Sequence, residues 1–266
     1  MLIWAGFVAI IDLMMMTHKV NRPVADVRRK PDSRSERLNQ LLFNEIVTGL
    51  GAKGDYVRIK GADRYTGWVR KDHLSPGSAT SHSYLVDVPI ATLIDEATGR
   101  FVGKLSFGTE ITPLEKSESF ARTDFCGKPA WISLGCIRRR TRQKPAWKTV
   151  QSYLQNLIGT PYLWGGRSGF GFDCSGLVQL VYNSCGHDLP RDSVDQRRRG
   201  RKISMKHLKP GDLIFSPGHV CIYYGSGQII HSSERAGGVY IENLLPDLPD
   251  SRTDIYEKIQ VVKRVI

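Results

Sequence analysis

Over the first half of the chain, apolar and polar positions alternate in short runs, the period-two pattern of half-buried strands. The runs are Val24–Val27, Gln40–Val47, Tyr56–Lys60 and Gly67–Val69, with Arg28–Glu36 as a polar loop and Gly49, Gly51, Gly54 and Gly61 as punctuation. They predict a small all-β barrel over residues 20–80. Residues 81–143 repeat the plan with Tyr84–Ile94, a turn at Glu96–Arg100, then Phe101–Leu105, Glu110–Leu114, Phe120–Thr123 and Ala130–Leu134. Gly67-Trp68-Val69 aligns with Ala130-Trp131-Ile132 near the end of each stretch, so a duplicated module is expected.

The pattern changes in residues 144–266. After a linker at Lys144–Lys148, Trp147, Val150, Tyr153, Leu154 and Leu157 fall at helical spacing, which predicts a helix over Ala146–Ile158 ended by Gly159. A glycine-rich loop, Gly165–Gly171, then leads into Asp173-Cys174-Ser175-Gly176. Helical character continues through Leu177–Tyr182 until Gly186. Strand-like runs follow at Asp212–Ser216, His219–Tyr224, Gln228–Ser232, Val239–Glu242 and Gln260–Val265. Helices before an antiparallel sheet make this part α+β.

Composition narrows the function. With 41% hydrophobic and 24% charged residues, the 266-residue chain is globular. Five cysteines in this length are no disulfide scaffold, and neither a CxxC pair nor HExxH is present, so no metal site is expected. Cys126 and Cys136 flank a hairpin, and their pairing stays open. No apolar run reaches the roughly 18–20 residues of a membrane span. Residues 1–19 stand apart as an apolar N-terminal segment in which Met14, Met15 and Met16 cluster. It reads either as sequence upstream of the true start or as a weak export or anchor segment. The formal charge of +12 is concentrated in residues 125–172 and 196–211, which hold no acidic residue. Such clusters raise the possibility of nucleic-acid binding, but no nucleic-acid-binding motif accompanies them.

Cys174 is the candidate nucleophile. It stands where the glycine-rich loop becomes a helix, and a helix N-terminus favours thiolate. Gly171 and Gly176 would let a substrate backbone come close. A hairpin turning at Gly225-Ser226-Gly227 makes His219 and His231 diagonal neighbours on one face. That supplies a base, His219, and an imidazole to orient it, His231.

At these residues the chain resembles the NlpC/P60 family of cysteine peptidases. The matching strings are Pro161-Tyr162-Leu163-Trp164-Gly165-Gly166, Phe172-Asp173-Cys174-Ser175-Gly176-Leu177-Val178, Leu189-Pro190-Arg191-Asp192-Ser193, Pro210-Gly211-Asp212-Leu213, Gly218-His219-Val220 and Ile230-His231. The resemblance implies a papain-like peptidase domain over 144–266, preceded by two bacterial SH3-like barrels. The subgroup with that arrangement cuts the γ-D-glutamyl–diamino acid bond of peptidoglycan peptides and prefers a free N-terminal L-Ala. By position, the resemblance assigns substrate contacts to Tyr162, Trp164, Asp173, Ser175, Asp192 and Ser193, and further contacts to Tyr65 and Glu45 in the first module. It implies no cofactor, a peptidoglycan-derived peptide as partner, and a monomer. The cytoplasm is the expected compartment, with an envelope-associated or exported form as the alternative. Two other readings are a wall-binding protein with an inert peptidase domain, and an amidase or acyltransferase acting on another substrate. Both basic segments are expected to rim the groove and attract carboxylate-rich peptides.

Overall fold

The computed structural model describes residues 16–79, 81–140 and 146–266. The apolar stretch up to residue 15 and the first two residues of the expected linker, Lys144 and Pro145, lie outside them. The chain divides into two compact units, 1–140 and 141–266.

In the first unit, seven strands pair antiparallel. Their order is Arg37–Leu42, Val24–Arg28, Thr66–Arg70, Tyr56–Lys60, Ile46–Lys53, Thr17–Val20 and Leu74–Pro76. Their inward positions, among them Val20, Ala25, Val27, Val47, Val57, Ile59 and Val69, share one core. The first strand begins at Thr17, ahead of the boundary expected at residue 20.

The expected single strand Gln40–Val47 is two. The chain reverses at Phe43–Glu45, with Asn44 in the left-handed region at φ 70°, a conformation Asn tolerates better than most residues. The reversal sends Phe43 into the core formed by residues 84–139, where its ring lies 5.1 Å from that of Phe125. Asn44 Nδ2 donates to the Glu110 carbonyl at 3.2 Å.

Residues 84–139 form a five-stranded sheet in the order Phe101–Ser106, Ile90–Ile94, Lys128–Ser133, Phe120–Phe125 and Glu115–Lys116. A three-stranded sheet of Glu110–Ile111, Tyr84–Val86 and Ile137–Arg139 accompanies it. The run Tyr84–Ile94 is therefore also two strands, held in separate sheets. All five cysteines are free, and the Cys126 thiol donates to the Asn21 carbonyl at 3.0 Å.

The second unit is built on six antiparallel strands. Their order is Arg201–Ile203, Val261–Arg264, Leu213–Ser216, His219–Gly225, Gln228–Ser233 and Gly238–Asn243. The edge strand Arg201–Ile203 carries two exposed cations and only Ile203 buried. That pattern was too short and too charged to read as a strand, and charge on an edge discourages further pairing.

Helix Trp147–Leu157 buries Val150, Tyr153, Leu154 and Leu157, the i, i+3, i+4, i+7 face of an amphipathic helix. Helix Cys174–Ser184 is buried from Ser175 to Tyr182 and packs against the two strands that carry His219 and His231. Two buried polar contacts anchor this unit. Tyr182 donates to the Gly211 carbonyl at 2.6 Å, and Arg264 forks onto Asp212 with two bonds of 2.6 Å. Among the described residues, no helix is long and apolar enough to cross a membrane.

Candidate active site

Cys174 is the first residue of the buried helix. Asp173 caps that helix, its Oδ1 accepting the Gly176 N–H at 2.7 Å. The glycines here serve the chain's own packing. A β-carbon on Gly176 would fall 2.1 Å from the Gly166 carbonyl oxygen, and one on Gly171 would fall 2.5 Å from Leu163 Cβ. The close backbone approach expected of a substrate is thus already made by the loop itself.

The thiol is more tightly held as S–H than its helix position suggests. Burial, and then the negative charge of Asp173, push the Cys174 thiol up to about 11. The backbone N–H groups of Val220 and Ser175 and the Arg191 guanidinium oppose this by favouring thiolate. Burial, then the neighbouring His231 and Arg252, push His219 down to about 3. The resting pair is therefore thiol and neutral imidazole. Alkylation of Cys174 by iodoacetamide in the free enzyme will rise about tenfold per pH unit between about pH 5 and 8, as the thiolate fraction grows. A flat profile over that range would show a preformed thiolate–imidazolium pair instead.

His219 and His231 meet. His219 Nε2 lies 2.7 Å from His231 Nδ1, with ring centroids 4.9 Å apart and planes at 73°. The register Ile222↔Ile230, carried one pair further, sets His231 opposite Cys221, so His219 is its diagonal neighbour. On its other side, His231 Nε2 contacts Glu242 Oε2. Arg252 Nη1 donates to that same oxygen at 2.6 Å, and its Nε and Nη2 fork onto Asp254 at 2.8 and 2.9 Å.

The other expected site residues divide into supports and lining. Asp173 accepts from the Gly165 and Gly176 N–H groups and from both terminal nitrogens of Arg191, at 3.0, 2.7, 3.0 and 2.6 Å. The Ser175 hydroxyl adds a longer bond at 3.3 Å, so the roughly four acceptor positions of the carboxylate are all taken. Ser175, in the first turn of the helix, is buried. Its hydroxyl accepts from Arg191 Nη1 at 2.8 Å.

Asp192 is the N-cap residue of the short helix Ser193–Gln196, its carbonyl taking the Asp195 and Gln196 N–H groups. Ser193 is half-buried. Trp164 is 62% exposed. Tyr162 is half-buried and sits beside the Ser233–Gly238 turn through its N–H to the Gly237 carbonyl. Burial, and next the charge of a Cys174 thiolate, push its phenol up to about 12, so it remains a neutral donor.

Tyr65 and Glu45 belong to the first unit. Tyr65 closes a tight turn, its N–H on Asp63 Oδ1 at 3.0 Å and its carbonyl accepting from Gly61. Glu45 lies on the Phe43–Glu45 reversal, near enough to Glu110 for its charge to oppose ionisation there.

Four residues went unassigned from sequence. Arg191 is 2% exposed and ties Asp173 to Ser175. Gln196 is fully buried and donates to the Ser175 and Pro190 carbonyls, both at 2.9 Å. Glu242 and Arg252 extend the histidine pair. Arg191 was visible beside Asp192-Ser193, but nothing in the string marked it as buried.

The expected cationic rim also changes. In the first basic segment, Arg138 and Arg140 are paired with Asp87 and Glu110, each at 2.7 Å, and Arg167 is buried. In the second segment Arg197, Arg199, Arg201 and Lys202 are exposed, and the exposed Arg198 pairs with Asp195 at 2.9 Å.

A thiol opening a buried helix that packs on the strands carrying paired imidazoles fits a cysteine peptidase, and the relatives below show that class for this chain. The NlpC/P60 family model matches residues 159–256, and a bacterial SH3 domain model matches residues 23–75. The chain is 31% identical over 229 residues to the gamma-D-glutamyl-L-lysine dipeptidyl-peptidase of Bacillus cereus (strain ATCC 10987 / NRS 248). The match covers 76% of this chain and 69% of that protein. It is 28% identical over 223 residues to the protein of the same name from Bacillus subtilis (strain 168), covering 77% and 75%. A crystal structure of an NlpC/P60 family protein from Bacillus cereus ATCC 10987 shares the fold, with a TM-score of 0.83 at 24% identity over 94% of this chain and 99% of that one. The chain belongs to the NlpC/P60 family.

Proposed function

We propose that this enzyme hydrolyses the γ-D-glutamyl–diamino acid bond of peptidoglycan-derived peptides and requires a free N-terminal L-Ala. The observation that carries the reading is the similarity to two gamma-D-glutamyl-L-lysine dipeptidyl-peptidases over about three quarters of the chain. The His219–His231 contact, on strands packed against the helix that Cys174 opens, supports the chemistry for it.

In this reading the Cys174 sulfur attacks the γ-carbonyl of D-Glu as its proton passes to His219. The tetrahedral oxyanion takes hydrogen bonds from a backbone N–H and from the neutral phenol of Tyr162. His219 then returns the proton to the departing amine, leaving a thioester. Water, activated by the same imidazole, hydrolyses the thioester and restores the thiol. His231 holds His219 in orientation throughout. Asp192 and Ser193 receive the L-Ala ammonium, and Asp173 and Arg191 keep that segment and the helix start together. A buried ammonium needs an acceptor for each N–H, which is why a free amine would be selected.

Residues 84–139 are, in the same reading, a second copy of the SH3 module. Each module ends in a strand, a single 3₁₀ turn and a short strand. These are Thr66–Arg70, Lys71–His73 and Leu74–Pro76 in the first, and Lys128–Ser133, Leu134–Cys136 and Ile137–Arg139 in the second.

The test is mass spectrometry of digests of L-Ala-γ-D-Glu-L-Lys, of its diaminopimelate counterpart, and of both with the L-Ala amine acetylated. Release of L-Ala-D-Glu from the free peptides is expected. Acetylation is expected to slow cleavage by at least about 100-fold, because the site's acceptors are left unpaired. Equal cleavage of acetylated peptide would overturn the free-amine requirement. No cleavage of any of the four would overturn the substrate.

A further inference from the structure

We propose that Glu242, clamped by Arg252, is a positioning residue that sets the tautomer of His231 and, through it, that of His219. The inference rests on the reading that His219 serves Cys174 as base, and it follows from which atoms can donate.

Glu242 lies near the end of strand Gly238–Asn243. The register pairs His231 with Tyr240 and Ile229 with Glu242, so Glu242 is the diagonal neighbour of His231 on the same face. Its Oε2 meets His231 Nε2 and also takes the Arg252 bond. Arg252 is 7% exposed, and its N–H is bound to the Asn243 carbonyl at 2.7 Å. The guanidinium is therefore fixed from both its backbone and Asp254. Glu242 is held ionised: its hydrogen bond with His231, and further the charge and hydrogen bond of Arg252, outweigh burial and hold that carboxyl below the usual range.

An ionised carboxylate only accepts. With one proton on each ring, His231 must then carry its hydrogen on Nε2, leaving Nδ1 as an acceptor. The atom that faces Nδ1 is His219 Nε2, at 2.7 Å. His219 must donate from Nε2, and its free lone pair is on Nδ1, the nitrogen left to take a proton from sulfur. Reverse the first choice and the chain inverts. A proton on His231 Nδ1 would force His219 Nε2 to accept and place its own hydrogen on Nδ1, where no base would remain. The ionisable groups around the pair are Cys174, Cys221, Glu242, Arg252 and Asp254. Of these, Glu242 alone is bonded to His231 Nε2. A purely structural reading makes Glu242–Arg252 a clasp that ties the segment before helix Thr253–Tyr256 to the sheet. That role would move stability and leave the tautomer alone.

The experiment uses ¹⁵N-labelled protein and its Glu242→Gln and Glu242→Ala variants. Long-range ¹H–¹⁵N spectra report which ring nitrogens of His219 and His231 carry hydrogen, and iodoacetamide reports the reactivity of Cys174 at a fixed neutral pH. Wild type is expected to show both rings protonated on Nε2. Glu242→Ala is expected to populate the Nδ1–H form of His231. Alkylation should slow by roughly 10- to 100-fold, the range seen when a residue that orients an imidazole is removed. Glu242→Gln is isosteric and keeps an acceptor oxygen, so it should retain the tautomer and lose a smaller part of the reactivity. If the alanine variant does not fold, Glu242→Leu, close in size and without an acceptor, takes its place with the same expected result. Unchanged tautomers with alkylation within twofold of wild type, in the folded alanine or leucine variant, would overturn the proposal. Neither measurement involves a peptide, so a wrong substrate assignment would leave the outcome untouched.

Discussion

Replacing Cys174 with alanine is expected to cut hydrolysis of a γ-D-glutamyl peptide by on the order of 10⁵- to 10⁶-fold, with peptide affinity changed no more than about threefold. The size of the loss follows from the absence of a substitute near the helix start. Ser175 is the adjacent nucleophile, but it is buried and its hydroxyl is engaged by Arg191 and Asp173. Cys221 is fully buried, donates to the Ile214 carbonyl, and has its thiol pushed far above the ordinary range by burial. Cys174→Ser should fall nearly as far. A hydroxyl is a much weaker acid than a thiol, and an imidazole pushed down to about 3 is a weak base for it. Steady-state rates together with calorimetric titration of the peptide separate chemistry from binding. Hydrolysis that survives in Cys174→Ala would move the reaction to another centre and revive the view of the domain as a passive wall-binding element.

The legible part of this fold was the part whose signals are local. Helix Trp147–Leu157 shows its buried face at helical spacing, and the strands of the second unit are runs of β-branched residues closed by glycines at positive φ such as Gly218, Gly225 and Gly227. The meeting of His219 and His231 was also legible, because one hairpin and its turn fix their register. The splits within Gln40–Val47 and Tyr84–Ile94 were not, since an apolar residue at a turn looks like strand until its partner is known. Phe43 is apolar because it fills a core made by residues 84–139, and no local pattern carries that information. Glu242 and Arg252 were hidden for the same kind of reason. A charged residue ending a strand reads as solvated, and Arg252 reaches the site from a loop whose path is set by the whole sheet. The state of the thiol depends on surroundings that the string does not display. The helix terminus does favour thiolate, but burial and Asp173 outweigh it.

The second large effect concerns Arg191. Its side chain is 1% exposed and that of Asp173 is 13% exposed, and the two share bonds of 2.6 and 3.0 Å. Arg191→Leu would remove the cation bonded to that carboxylate and leave it with two backbone N–H groups and the Ser175 hydroxyl. Breaking one side of a buried pair costs about 3–5 kcal/mol, because the remaining charge stays desolvated. Urea unfolding of the variant should show a loss of that order. The loss lies in the uncompensated charge more than in the lost contact, so adding Asp173→Asn should restore part of the stability, with a coupling of about 0.5–3 kcal/mol. The control is Arg198→Leu, whose exposed pair with Asp195 at 2.9 Å should matter by no more than about 0.5 kcal/mol. Arg191 also ties stability to reactivity. Its guanidinium favours the Cys174 thiolate, so the folded fraction of Arg191→Leu should alkylate more slowly at a given pH than wild type. If Arg191→Leu unfolds at the wild-type urea concentration, the backbone cap alone holds Asp173, and the buried arginine must be explained by the substrate instead.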